Sequence, residues 1–72
     1  MNTHKLVDAD TGAELRIGDK VKSFRGDLME ILGYSDERMK TNPASTGRVF
    51  LRRLYDDWEQ EYFPSVINAK LV

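Results

Sequence analysis

Apolar and polar residues alternate in short runs along this chain, and turn residues separate the runs. Leu15 and Ile17, for example, alternate with Glu14 and Arg16, which is typical of a half-buried strand. Further strands are predicted at residues 20–24, 28–34, 47–54 and 58–63. No run keeps a helical apolar period over a window of about 11 residues. The pattern therefore predicts an all-β protein.

Five or six short antiparallel strands in 72 residues predict one small domain over residues 1–72. A flat sheet of this size leaves an apolar face and two edges open, whereas a barrel covers the face and pairs the edges. We therefore expect a small β-barrel. Residues 35–47 are polar, contain Pro43 and are predicted to form an exposed loop. The predicted core consists of Leu6, Leu15, Ile17, Val21, Leu28, Ile31, Leu32, Val49, Leu51, Phe63, Val66 and Leu71.

Composition excludes several classes of protein. The chain has 11 Lys and Arg against 12 Asp and Glu, and this balance is not typical of a nucleic-acid-binding domain. It has no Cys, which excludes disulfides and Cys-based zinc sites. No apolar run approaches the roughly 18 residues of a membrane span, and the N-terminal residues do not resemble a signal peptide. We expect a cytoplasmic protein without membrane contact.

Catalytic chemistry is not predicted. The sole imidazole, His4, lies near the N-terminus, where we expect a solvated side chain. Glu59 and Glu61 share a strand face. Paired catalytic carboxylates need different environments, and no feature of the sequence predicts that either Glu is buried. Residues 8–12 lack the ligand pattern of a calcium loop and predict a hairpin turn. We expect no enzymatic activity, no cofactor and no metal site.

Two segments resemble SH3 domains. Phe-Pro-Ser at residues 63–65 and the residues that follow are similar to the end of that family, where a single 3₁₀ turn precedes the last strand. Residues 13–21 resemble its Glu-Leu-x-Phe-x-x-Gly-Asp stretch. The resemblance implies an SH3-like antiparallel β-barrel with one short 3₁₀ turn near the C-terminus. Residues 6–10 lack the aromatic side chains of the family's Ala-Leu-Tyr-Asp-Tyr motif, so a groove for Pro-rich peptides is not implied.

A second resemblance covers residues 18–27, 45–49 and 58–66. These segments are similar to the Phe-Arg-Gly-Glu, Ser-x-Gly-Arg-Val and Phe-Phe-Pro-Ser-Val series of short proteins encoded by bacteriophages and prophages. The resemblance implies a genomic setting and no particular mechanism.

An aromatic cluster within residues 50–63 provides the main functional signal. Tyr and Trp are enriched at protein interfaces, although a small barrel also needs large side chains in its core. We predict a monomeric, non-enzymatic protein-interaction module of phage or prophage type whose partner is an unidentified host or phage protein. The predicted contact residues are Tyr55, Trp58, Tyr62 and Pro64.

The alternative function is single-stranded nucleic-acid binding. Residues 16–53 carry nine Lys and Arg against five acids, and small barrels bind single strands through a basic groove with aromatic platforms. The candidate residues are Lys20, Lys22, Arg25, Arg48, Arg52 and Arg53. The arginines could instead pair with acids of the adjacent strand, since residues 54–64 contain four acids and no base.

Overall fold

The fold consists mainly of strands, which confirms the predicted all-β class. A computed structural model describes residues 4–72, so residues 1–3 of the predicted domain lie outside the described residues. The strands are β1 (Leu6–Asp8), β2 (Lys20–Lys22), β3 (Leu28–Ser35), β4 (Arg48–Arg53), β5 (Glu59–Tyr62) and β6 (Ala69–Leu71). An α-helix, α1, spans Glu37–Thr41, and a 3₁₀ turn spans Pro64–Ile67.

The strands pair antiparallel in two sheets. One sheet has the order β2-β3-β4-β5, and the other contains β1 and β6. Within residues 4–72 no ladder joins these sheets into a closed barrel. The segment before β2 links them instead, because the Leu15 N–H donates to the Leu6 carbonyl (2.8 Å) and the Ile31 N–H donates to the Asp19 carbonyl (2.9 Å). The strand predicted around Leu15 is reduced to a single bridge between Val7 and Glu14.

The four-stranded sheet has an inner face towards the core and an outer face away from it. Along β4, Val49 and Leu51 are buried, whereas Arg48, Phe50 and Arg52 are half-buried on the outer face. This alternation follows from the side-chain period of two in a strand. A bulge in β3 between Ile31 and Gly33 shifts the register against β4 and adds one residue to β3.

The core is built around four fully buried side chains, those of Leu6, Ile31, Val49 and Leu51. Leu71 is also buried as predicted, and Leu15, Val21 and Val66 pack against the core from partly buried positions, whereas Leu32 is half-buried at the bulge. Four further residues are buried although they were not in the predicted core, namely Val7, Met29, Ile67 and Ala69.

Three predicted core residues are exposed. Ile17 is 68% exposed because the chain leaves the β1 bridge before reaching it. Leu28 precedes the inward-facing Met29 and therefore points to the outer face. Phe63 lies beyond the end of β5, where the Arg48 guanidinium carbon lies 4.3 Å from the centre of its ring.

The predicted loop at residues 35–47 is partly wrong. Ser35 ends β3, and the single helical turn of α1 follows at Glu37–Thr41. Residues 42–44 are exposed loop, as predicted, whereas Gly47 is buried where the chain enters β4.

The prediction of a solvated His4 is also wrong. Its Nδ1 lies 2.8 Å from Oδ2 of Asp36, a carboxylate with no exposed surface. Lys40 on α1 places its Nζ 3.8 Å from the other oxygen of Asp36. A buried carboxylate requires such partners, so this cluster fixes the start of the described chain against α1.

Candidate functional site

A groove of about 260 Å³ opens on the inner side of the four-stranded sheet. Three parts of the chain line it: the turn after β2, the inner face of β3, β4 and β5, and the 3₁₀ turn. The lining residues are Ser23, Phe24, Arg25, Asp27, Met29, Arg53, Gln60, Tyr62 and Val66. We call this site the inner groove.

The turn after β2 holds an aromatic ring at the inner groove. The Ser23 side-chain oxygen accepts hydrogen bonds from the N–H groups of Arg25 and Asp27, both at 3.2 Å. Gly26 occupies the left-handed region with a φ of 89°, which favours glycine. The Phe24 N–H donates to the Val66 carbonyl (2.9 Å), so the turn is attached to the 3₁₀ turn. The Phe24 ring nevertheless remains 75% exposed.

One of the four predicted contact residues, Tyr62, lines the inner groove, and two others contact side chains that line it. Tyr62 lines it and packs partly against the core. Trp58, 55% exposed, donates from Nε1 to the side-chain oxygen of Gln60 (2.8 Å). Tyr55, 70% exposed, lies beneath the Arg53 guanidinium, whose carbon is 5.1 Å from the ring centre. Because Gln60 and Arg53 line the groove, the rings of Trp58 and Tyr55 are placed beside it.

The prediction of Pro64 as the fourth contact residue is wrong. Its side chain is fully buried, so it cannot contribute to an exposed contact surface. Pro64 begins the 3₁₀ turn. Proline is favourable at this position because a backbone N–H there would have no partner within the turn. Phe24 lines the inner groove but was not among the predicted contact residues, although an aromatic residue directly before a Gly turn was the available signal.

The three arginines of β4 pair within the molecule, as the alternative predicts, but only Arg48 pairs with an acid of β5. Arg48 Nε lies 3.3 Å from the Glu61 carboxylate on β5. Arg52 lies opposite Glu59 in the register, but its hydrogen-bonded ion pair is with Glu30 on β3. The hydrogen bond with Glu30 raises the pKa of Arg52.

Arg53 forms its ion pair with an acid that lies outside β5. Its guanidinium lies 2.7 Å from Asp56 in the following turn. The hydrogen bond between them raises the pKa of Arg53 and lowers the pKa of Asp56.

The six candidate nucleic-acid residues do not share one basic groove. Arg25 and Arg53 line the inner groove, whereas the other four lie on the outer face among acids. A row of paired positions crosses the outer face with alternating charge, namely Lys20, Glu30, Arg52 and Glu59. Among the described residues, Lys20, Lys22 and Arg25 have no carboxylate oxygen within 4.0 Å.

A second, wider groove of about 520 Å³ lies beside the loop after α1. It is lined by Asn42, Ala44, Ser45, Thr46, Arg48, Phe63 and Ser65. Arg48 stacks on the Phe63 ring there and also pairs with Glu61. Only two of its seven lining residues, Ala44 and Phe63, are apolar, whereas four of the nine residues that line the inner groove are apolar or aromatic.

Residues 8–12 form the predicted turn. The Asp8 carboxylate accepts hydrogen bonds from the N–H groups of Asp10 (2.8 Å) and Thr11 (3.0 Å). Both hydrogen bonds lower the pKa of Asp8, and the one from Thr11 has the larger effect. In residues 4–72 no three His, Cys, Asp or Glu side chains are grouped so that they could hold a metal ion.

Comparison with protein-family models, curated proteins and solved structures finds no match to this chain. The comparisons therefore add no support to the SH3 and phage resemblances. Over the described part of the chain, no helix has the length and apolar character needed to cross a membrane.

Proposed function

We propose that this chain is a non-enzymatic protein-interaction module and that the inner groove binds a short segment of a partner protein. The observation that carries the proposal is the Phe24 ring, 75% exposed beside a groove to which Met29, Tyr62 and Val66 contribute apolar surface. A pocket that combines apolar side chains with a few polar groups beside an exposed aromatic ring is typical of sites that anchor a large side chain.

The charges beside the groove favour an acidic ligand at one end. Arg25 lies over the Phe24 ring, with its guanidinium carbon 5.5 Å from the ring centre, and has no ion pair among the described residues. Arg53 is already paired with Asp56. Asp27, in the same turn as Arg25, also lines the groove, so Arg25, which has no ion pair, is the group that favours a carboxylate. The proposed ligand is an extended segment with one aromatic anchor next to an acidic residue.

The finer identity of the module is part of the proposal. The pairing of β1 with β6 and the 3₁₀ turn before β6 support an SH3-like architecture. The motif series supports a phage or prophage origin, with a cytoplasmic host or phage protein as the partner.

Nucleic-acid binding is the second candidate function. Lys20, Lys22 and Arg25 have no ion pair within residues 4–72, which favours this candidate. Arg48, Arg52 and Arg53 disfavour it, because phosphate would compete with their existing carboxylate partners.

An amide-shift titration of the isotope-labelled protein separates the two functions. The probes are a capped peptide with one Phe flanked by Glu, the same peptide with Lys in place of Glu, and a short mixed-sequence single-stranded oligonucleotide at low salt. We expect the acidic peptide to shift residues 23–27, 60–62 and Val66, and the basic peptide to bind more weakly. Phe24→Ala should abolish the shifts, whereas Ile17→Ala, an equally apolar and exposed site outside the groove, should not.

The outcomes distinguish the proposals. Oligonucleotide shifts at Lys20, Lys22 and Arg25 that weaken steeply with salt would favour nucleic-acid binding. If neither peptide shifts a groove amide at millimolar concentration, the inner groove is not a peptide site.

A further inference from the structure

Both edges of the four-stranded sheet are open. The sheet ends in β2 on one side and β5 on the other, and within residues 4–72 neither strand has a partner on its outer edge. An open edge offers unpaired N–H and C=O groups to another strand.

The register identifies which residues offer those groups. The Arg53 N–H donates to the Trp58 carbonyl, and successive residues of an antiparallel strand direct their backbone groups to opposite sides. The backbone N–H and C=O groups of Gln60 and Tyr62 therefore form hydrogen bonds with β4, whereas those of Glu59 and Glu61 point to the open edge.

The same argument applies to β2. Asp19 accepts from Ile31, and the Ser23 N–H donates to Asp27, so these residues face the β3 side. Lys20 and Lys22 therefore direct their N–H and C=O groups away from β3.

The two open edges carry opposite charge on the same face of the sheet. Val21 packs against the core, so Lys20 and Lys22 lie on the outer face. Gln60 and Tyr62 line the inner groove, so Glu59 and Glu61 also lie on the outer face. Glu61 pairs with Arg38 and Arg48, whereas Glu59 has no ion pair within 4.0 Å among the described residues.

We propose that β5 of one copy of this chain pairs antiparallel with β2 of a second copy. In the register that places Glu59 opposite Lys22 and Glu61 opposite Lys20, the outward backbone groups of both edges face each other. Both side-chain pairs then have opposite charge, and the alternating row of the outer face continues from Glu59 into the next copy.

Charge also selects how the copies are arranged. A symmetric pair through two β5 edges would place Glu against Glu, and one through two β2 edges would place Lys against Lys, which is destabilising. The β5-to-β2 contact joins two different surfaces, so a pair of copies retains one free β2 edge and one free β5 edge, and assembly is head to tail. Because β2 and β5 are short and exposed, we expect weak association that salt reduces.

Sedimentation velocity of the full chain over a concentration series tests the proposal. At low ionic strength, the sedimentation coefficient should rise with concentration, and this rise should decrease at high salt. Lys22→Glu and Glu59→Lys should each weaken association about tenfold, because each places like charges opposite one another. An equal mixture of the two variants should restore association, since Glu59 of one then faces Lys22 of the other.

Matched controls exclude effects of net charge. Lys70→Glu on β6 and Glu37→Lys on α1 make the same charge changes at exposed positions outside β2 and β5. Both controls should associate as the unmodified chain does. Amide hydrogen exchange tests the same contact in the unmodified chain. The N–H groups of Lys22 and Glu59 should exchange more slowly as the protein concentration rises.

Three results would overturn the proposal. The chain could remain monomeric at millimolar concentration and low salt, which would mean that the edge charges only keep copies apart. The edge variants could associate as strongly as the unmodified chain, or a mixture of two folded variants could fail to restore association.

Discussion

Replacing Gly47 with Ala should destabilise the fold more than any other glycine substitution at a positive φ in the described chain. Gly47 is buried between α1 and β4 with a φ of 81°. A Cβ placed there would overlap Cδ1 of Leu71 and lie 2.9 Å from the Ser35 carbonyl oxygen and 3.3 Å from the Met39 sulfur. The Leu71 methyl group can rotate away, but the carbonyl oxygen is part of the β3 backbone.

The expected magnitude has two parts. The left-handed conformation costs about 1–2 kcal/mol for a residue with a Cβ. Steric overlap in a packed site adds about 1–3 kcal/mol. The sum of about 2–5 kcal/mol is a large fraction of the roughly 4–11 kcal/mol expected for a domain of this length.

Gly12→Ala is the matched control. Gly12 has a similar φ of 76°, but a Cβ there would have no atom within 4 Å. Urea unfolding of both variants should give a loss of about 1–2 kcal/mol for Gly12→Ala and a loss larger by about 1–3 kcal/mol for Gly47→Ala. Equal losses would refute the argument from the Ser35 carbonyl.

Three further predictions concern the core, the groove and acid stability. Leu51→Ala removes a fully buried side chain and should lower the free energy of unfolding by about 2–5 kcal/mol in urea titration. Trp58→Ala removes an exposed ring and should change that free energy by about 0.5 kcal/mol or less, while weakening peptide binding in the amide-shift titration. The pKa values of Asp8 and Asp56 are lowered in the folded state, so their contribution to stability should be present above about pH 4 and lost as pH falls through the folded pKa values. Asp8→Asn and Asp56→Asn should each reduce the pH dependence of the free energy of unfolding.

The strands could be predicted because turn residues mark their ends and alternation marks their faces. The burial of Val49 and Leu51, with Arg48 and Arg52 on the opposite face, follows directly from the period of two. Alternation fails at Leu28 and Phe63, since an apolar residue at the end of a strand does not reveal which face it occupies.

The groove and the buried carboxylate could not be predicted, because both depend on contacts between distant parts of the chain. The hydrogen bond from Phe24 to Val66 brings the turn after β2 to the 3₁₀ turn and forms one wall of the inner groove. Asp36 stands in a polar run that predicts a loop, and its hydrogen-bond partner His4 is 32 residues away in the sequence. The Glu30–Arg52 pair requires the register of β3 against β4, which the bulge after Ile31 makes irregular.

The two proposals can be tested separately, because the peptide proposal uses side chains of the inner groove, whereas the edge proposal uses backbone groups of the open edges and side chains of the outer face. Phe24→Ala alters the inner groove and none of the backbone groups on the open edges, so it should abolish peptide shifts without changing sedimentation. If both proposals hold, each added copy contributes four strands, and successive grooves lie about 19 Å apart at the usual strand spacing. The twist of about 20–25° per strand rotates successive grooves by roughly 90°, so a single straight ligand cannot fill two of them. Head-to-tail assembly should therefore strengthen the binding of a two-site ligand only if its linker can follow that rotation.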